Sequence, residues 1–121
     1  MIHAHVSFPA GYIARILSNE FGIPYVITEF MGPFPFPAHT NADGSPRMEI
    51  CLALEGAYKV IALSPSLCDR IESLGFKRPT EIPFSVNETN FFPNIDKRTN
   101  PFIFVTVARI SSEKGIEVLI N

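Results

Sequence analysis

The chain predicts an α/β fold, a Rossmann-like parallel sheet with flanking helices. Short β-branched or aromatic runs alternate with runs whose apolar residues recur at helical spacing. Prolines and glycines stand where one run ends and the next begins, as punctuation in a folded chain. A composition of 46% hydrophobic and 18% charged residues is that of an ordinary globular protein. Such alternation reads as parallel βαβ units, with helices expected on both faces of the sheet.

Each element has its own signal. Residues 1 to 5 read as the tail of a strand. Behind Ser7-Phe8-Pro9, with proline expected at the first helical position, Ile13, Ile16, Leu17 and Phe21 share a face and Gly22 supplies a left-handed end. Tyr25-Val26-Ile27-Thr28 is a buried strand. A Pro-, Gly- and Phe-rich loop runs from Glu29 to Arg47. A helix is expected from Met48 to Tyr58, with Met48, Ile50, Cys51, Leu52 and Leu54 inward. Lys59 to Leu63 is the next buried strand. Ser64 caps a helix with Pro65 at its first position, Leu67, Cys68, Ile71 and Leu74 inside, and Gly75 at its end. Thr80-Glu81-Ile82 is a short strand. Residues 83–100 show no sustained period and read as an interdomain connector. Phe102 to Val107 is expected to be a strand, and Ser111 or Ser112 to cap a helix carrying Ile116, Leu119 and Ile120. The domain reading is therefore 1–82, connector 83–100, and the opening strand and helix of a second domain at 101–121. Neither end closes on itself, and the expectation is the middle of a longer two-domain protein.

Charge and composition exclude whole classes. Ten basic against 12 acidic residues give a net charge of −2, leaving no basic excess to neutralise a phosphate backbone, so no nucleic-acid partner is expected. No run of about 18 uncharged apolar residues exists to span a membrane. His3, His5 and Pro9 break up the start where a secretory leader needs an apolar run. Cys51 and Cys68 lack zinc-ligand or redox spacing and read as thiols in a reducing cytoplasm.

Three segments could carry chemistry. His3 and His5 fall on one face at the carboxyl end of a strand, where ligands of open α/β sheets bind; metal ligation, a structural hydrogen-bonding pair and a site role for His5 all fit that spacing. In Val107 to Gly115, a strand delivers Arg109 and a helix start carries Lys114. That arrangement suits an anion, although a solvated surface loop has the same composition. The loop Glu29 to Pro37 either closes over a ligand or packs against the sheet.

These residues, in their order, resemble the family 4 glycosyltransferases of the GT-B superfamily. The match runs through Ile2-His3-Ala4-His5, Phe8-Pro9-Ala10-Gly11, Gly22 to Glu29, Ala57 to Ser64, Leu74-Gly75, Ile82-Pro83 through Phe92-Pro93, and Phe104 to Gly115. The resemblance implies two Rossmann-like domains across a cleft and transfer of a sugar from a nucleotide-sugar donor to a sugar, lipid-linked or other hydroxyl acceptor, usually with retention. It implies no cofactor and no metal. By the same resemblance Arg109 and Lys114 bind the donor diphosphate, His5 lies beside the transferring sugar as the catalytic group, and Thr28 and Glu29 contact the cleft. A cytoplasmic location follows from it, as does possible peripheral membrane contact of a full-length protein.

The sequence departs from the family at Phe30, where many relatives carry His, at Phe84-Ser85-Val86-Asn87, and at Ala108 in place of Gly. The family's N-terminal glycine-rich loop and downstream E-x₇-E element are absent, so the isolated chain is expected to turn over little or no substrate. The alternatives are an inert or degenerate fragment with at most weak phosphate binding, and another GT-B enzyme such as a nucleotide-sugar epimerase.

Overall fold

The computed structural model describes residues 1–92 and 103–120. They fall into two compact units, Met1–Ser85 and Val86–Asn121.

The first unit is a four-stranded parallel sheet in the order β1-β2-β3-β4, built from β1 (Ile2–His5), β2 (Tyr25–Glu29), β3 (Lys59–Ala62) and β4 (Thr80–Glu81). Helices α1 (Tyr12–Phe21), α2 (Met48–Gly56) and α3 (Pro65–Ser73) form the crossovers. The predicted α/β class is thus present.

Its layering differs from the expectation of two covered faces. Ile2 pairs with Tyr25, Ala4 with Ile27 and Glu29 with Ala62, so these residues share one face of the pleat. Ala4, Tyr25, Ile27 and Ala62 join Ala14, Ile50, Ala53, Leu54, Cys68 and Ile71 in one buried cluster that draws on all three helices. His3, Val26, Thr28 and Lys59 lie on the other face, and Val26, though buried, is outside that cluster. Strand order explains this. When consecutive strands are neighbours and every crossover is right-handed, each helix falls on the same side.

Helix boundaries follow local chemistry. Gly22 takes the left-handed cap at φ 65° and its N–H donates to the Ser18 carbonyl. The Ser64 hydroxyl accepts from the Leu67 N–H at 3.3 Å, with Pro65 beginning α3. Gly75, at φ 91°, ends that helix region. Pro9 does not start α1 as expected. Phe8 is extended (φ −141°, ψ 136°), Ser7–Gly11 forms a wide turn, and the regular helix begins only at Tyr12.

Two inward faces also need correction. Ala14, not the Ile13, Ile16, Leu17 and Phe21 stripe, is the buried residue of α1. The turn before α1 runs so close to the sheet that a Cβ on Gly11 would lie 2.9 Å from Ile27 Cδ1, and only small side chains fit beneath the helix. The larger ones are displaced outward. In α2, Ile50, Ala53 and Leu54 are buried while Met48, in the first turn, is exposed.

In the second unit the described residues 103–107 of the expected strand are assigned to no strand, and Ile103, Phe104, Val105 and Val107 are exposed. A 3₁₀ turn at Ser112–Lys114 is followed by left-handed Gly115 and a short α4 (Ile116–Ile120). Pro101 and Phe102 of the expected strand, and 93–100 of the expected connector, lie outside the described residues.

Candidate functional site

The carboxyl ends of β1 and β2 gather the most chemistry. Because β1 alternates, His3 and His5 project from the face that no helix covers, and both are exposed. Their rings stack with centroids 4.7 Å apart. His3 Nε2 and Thr28 Oγ1 are 2.8 Å apart, a hydrogen bond between adjacent strands. The His5 ring lies 6.2 Å from Phe30, which in turn lies 6.2 Å from Phe84. His3, His5, Thr28, Phe30 and Phe84 thus form an open patch in which imidazole and hydroxyl groups adjoin aromatic surface. A flat ligand bearing hydroxyls suits that chemistry, with rings for its apolar face and polar groups for its edge.

Glu29 closes β2 on the opposite, buried face and is 1% exposed. One carboxylate oxygen accepts from the Ser7 N–H at 2.8 Å and the Ser7 hydroxyl at 2.7 Å; the other accepts from the Phe30 and Met31 N–H groups at 3.0 Å each. Its charge is held entirely by the turn after β1 and the loop after β2. Glu29 is therefore the anchor that fixes both loops beneath the patch, and it does not present its carboxylate to the surface. Alternation from Tyr25 through Ile27 places residue 29 inward, so this burial could have been read from the strand's period.

The turn is also held by backbone. Val6 adopts φ 69°, a region costly for a β-branched residue. Its N–H donates to the Thr28 carbonyl at 2.9 Å, and its carbonyl accepts from the Gly11 N–H at 3.0 Å. Together with Glu29, these bonds set the residue following His5.

The proline-aromatic loop divides its roles. Phe34 is buried, and its carbonyl accepts from Arg70 Nε at 2.9 Å, tying the loop to α3. Phe30 stays partly exposed beside His5. His39, in a 3₁₀ turn at Pro37–His39, meets the Phe8 ring edge-to-face at 4.9 Å between centroids and lies tilted against Phe36 at 5.8 Å, a structural histidine. Among the described residues no group of three or more His, Cys, Asp or Glu is arranged to hold a metal ion, and no helix is long and apolar enough to cross a membrane.

The two predicted cationic residues lie in the second unit. Lys114 ends the 3₁₀ turn and borders a shallow depression with Val105, Thr106, Gly115 and Ile116. Lys114 does not begin a helix as expected: Gly115, at φ 63°, separates it from α4, and Arg109 precedes the turn in irregular, exposed chain. Five residues of α4 make a weak dipole, so any hold on an anion here falls to the side-chain charges themselves.

No model of a known protein family matches the chain, and no curated protein and no solved structure does so either.

Proposed function

We propose that the chain is a portion of a retaining GT-B glycosyltransferase that moves a sugar from a nucleotide-sugar donor to a hydroxyl acceptor. What carries this reading is the His3–His5–Thr28 cluster with Phe30 at the carboxyl ends of two parallel strands, lying within an ordered series of segments that resemble that family. In the proposed reaction His5 lies beside the anomeric carbon, its ring or carbonyl supporting the positive charge that develops on the sugar. Arg109 and Lys114 bind the donor diphosphate and offset the negative charge that grows as the nucleoside diphosphate departs. Thr28 steers the imidazole cluster through His3, and Glu29 holds the loops. The chemistry asks for no metal, since two cations serve the leaving group. The location proposed is the cytoplasm.

Two measurements test this. Titration calorimetry with nucleoside diphosphates is expected to give binding that weakens by about tenfold or more in Arg109→Ala and in Lys114→Ala, as for loss of a charge-assisted contact. A panel of nucleotide sugars should show little turnover by the chain alone, because it contains neither a glycine-rich phosphate loop before His5 nor an E-x₇-E element. Absence of heat at millimolar nucleoside diphosphate would favour the inert reading.

A further inference from the structure

We propose that Val6 is a positioning residue of the candidate site, its strained backbone ending the β1–β2 ladder one bond early and so holding the strand ends at His5 and Phe30 open. The role rests on the reading of His5 as the group beside the sugar; the strain itself does not. In the parallel register His5 pairs with Thr28, and the Val6 N–H donates to the Thr28 carbonyl at 2.9 Å. The next bond of such a ladder runs from the Phe30 N–H back to the Val6 carbonyl. It is not made. The Val6 carbonyl accepts from the Gly11 N–H at 3.0 Å instead, and the Phe30 N–H donates to the Glu29 carboxylate at 3.0 Å.

Val6 carries the cost of that exchange. At φ 69° and ψ 150° it occupies backbone space that is essentially glycine's, and among the described residues it is the one non-glycine residue at positive φ. Its side chain does not offset the cost, being half-buried and outside the hydrophobic cluster that draws on the three helices.

Three neighbours hold the strained form. The Ser7 N–H and hydroxyl donate to one Glu29 oxygen at 2.8 and 2.7 Å, which fixes the residue after Val6 and leaves the other oxygen to Phe30 and Met31. Gly11 approaches because it has no side chain: a Cβ there would lie 3.1 Å from the Val6 carbonyl oxygen. An extended Val6 would satisfy its own carbonyl and the Phe30 N–H with a single unstrained bond. Phe30 would then continue β2, on the same face as Thr28 and alongside His5. With the ladder broken, β1 stops at His5 and β2 at Glu29, and the Phe30 ring stands tilted at 58° to the His5 ring. Every group in this exchange lies between His5 and Met31, so it belongs to one strand–turn–helix–strand unit.

Through-hydrogen-bond NMR couplings in the 121-residue chain should join the Gly11 nitrogen to the Val6 carbonyl carbon and leave the Phe30 nitrogen uncoupled to it. Val6→Gly should keep that pattern and raise the folding equilibrium constant about two- to tenfold, because glycine takes this conformation without strain. Gly11→Ala crowds the Val6 carbonyl. It should pass the coupling to Phe30 and shift the His5 ring protons as the Phe30 ring moves, a signature that loss of a merely structural turn would not produce. A coupling between Phe30 and Val6 in the unaltered chain overturns the proposal. So does a Val6→Gly chain no more stable than its parent, or a folded Gly11→Ala chain without the Phe30 coupling. If Gly11→Ala does not fold, the stability of Val6→Gly decides. None of these measurements uses a nucleotide or a sugar, so their failure is distinct from a failure of the calorimetry.

Discussion

At the residue scale, single side chains hold the site in place from behind. Glu29 is the clearest case, a carboxylate at 1% exposure that accepts from both Ser7 donors and two backbone N–H groups. Glu29→Gln keeps the shape but turns an NH₂ toward groups that are themselves donors. It should cost about 2 kcal/mol or more, read as a lower urea midpoint with an unchanged slope. Gly56 is a second case, and its reason is space. A Cβ there would collide with the Arg15 guanidinium and lie 2.7 Å from the Tyr25 hydroxyl, groups that donate to the Leu52 and Ala53 carbonyls at 2.8 and 2.7 Å. Alanine normally gains up to ~1 kcal/mol over glycine within a helix. Here Gly56→Ala should instead destabilise by about 1–2 kcal/mol, because displacing Arg15 and Tyr25 strands polar groups of α2. Gly56 is not conspicuous in the sequence. Glu29, which the resemblance implies as a cleft contact, reads as buried once the strand's two-residue period is followed one step further.

At the element scale, the ends of the helices were more legible than their faces. Ser64-Pro65, Gly22 and Gly75 act through their own backbone and side-chain chemistry, and each does in the structure what that chemistry dictates. Ser64→Ala removes the bond to the Leu67 N–H and should lower stability by about 1 kcal/mol, checked by thermal melting. Faces depend on neighbours that periodicity cannot name. The α1 stripe is apolar at the right spacing, yet close approach of the Gly11 turn leaves only Ala14 beneath the helix. Residues 103–107 are apolar enough for a strand, yet the described residues there are in no strand. The candidate site was legible in the same uneven way. His5 and Thr28 follow from their places at strand ends, whereas His3 reaches the site through a cross-strand bond that only the register reveals.

At the scale of the whole unit, one sheet face carries the hydrophobic core and the other carries the histidines, and that division sets the response to pH. Three groups on the core side hold their protons more tightly when folded. Burial pushes the Tyr25 hydroxyl up, with the nearby Arg15 charge pulling partly the other way. Burial, helped by the Glu55 charge, raises the Cys51 thiol, and burial raises Cys68, which is 0% exposed, against the pull of Arg78. Unfolded, thiols titrate near ~8.5 and tyrosine near ~10. Above those values the unfolded chain has released protons that the folded chain still keeps, so raising the pH favours unfolding. The stabilising contribution is complete below about pH 8.5 and is lost as pH rises through the higher folded values. Urea midpoints should therefore be flat from pH 7 to about pH 8 with respect to these groups and then fall through pH 9 to 11. Tyr25→Phe should flatten the upper part of that fall while lowering the plateau, since it also removes the hydrogen bond to Ala53. A midpoint unchanged to pH 11 would mean that water reaches these groups and that the core is not sealed on the helical side.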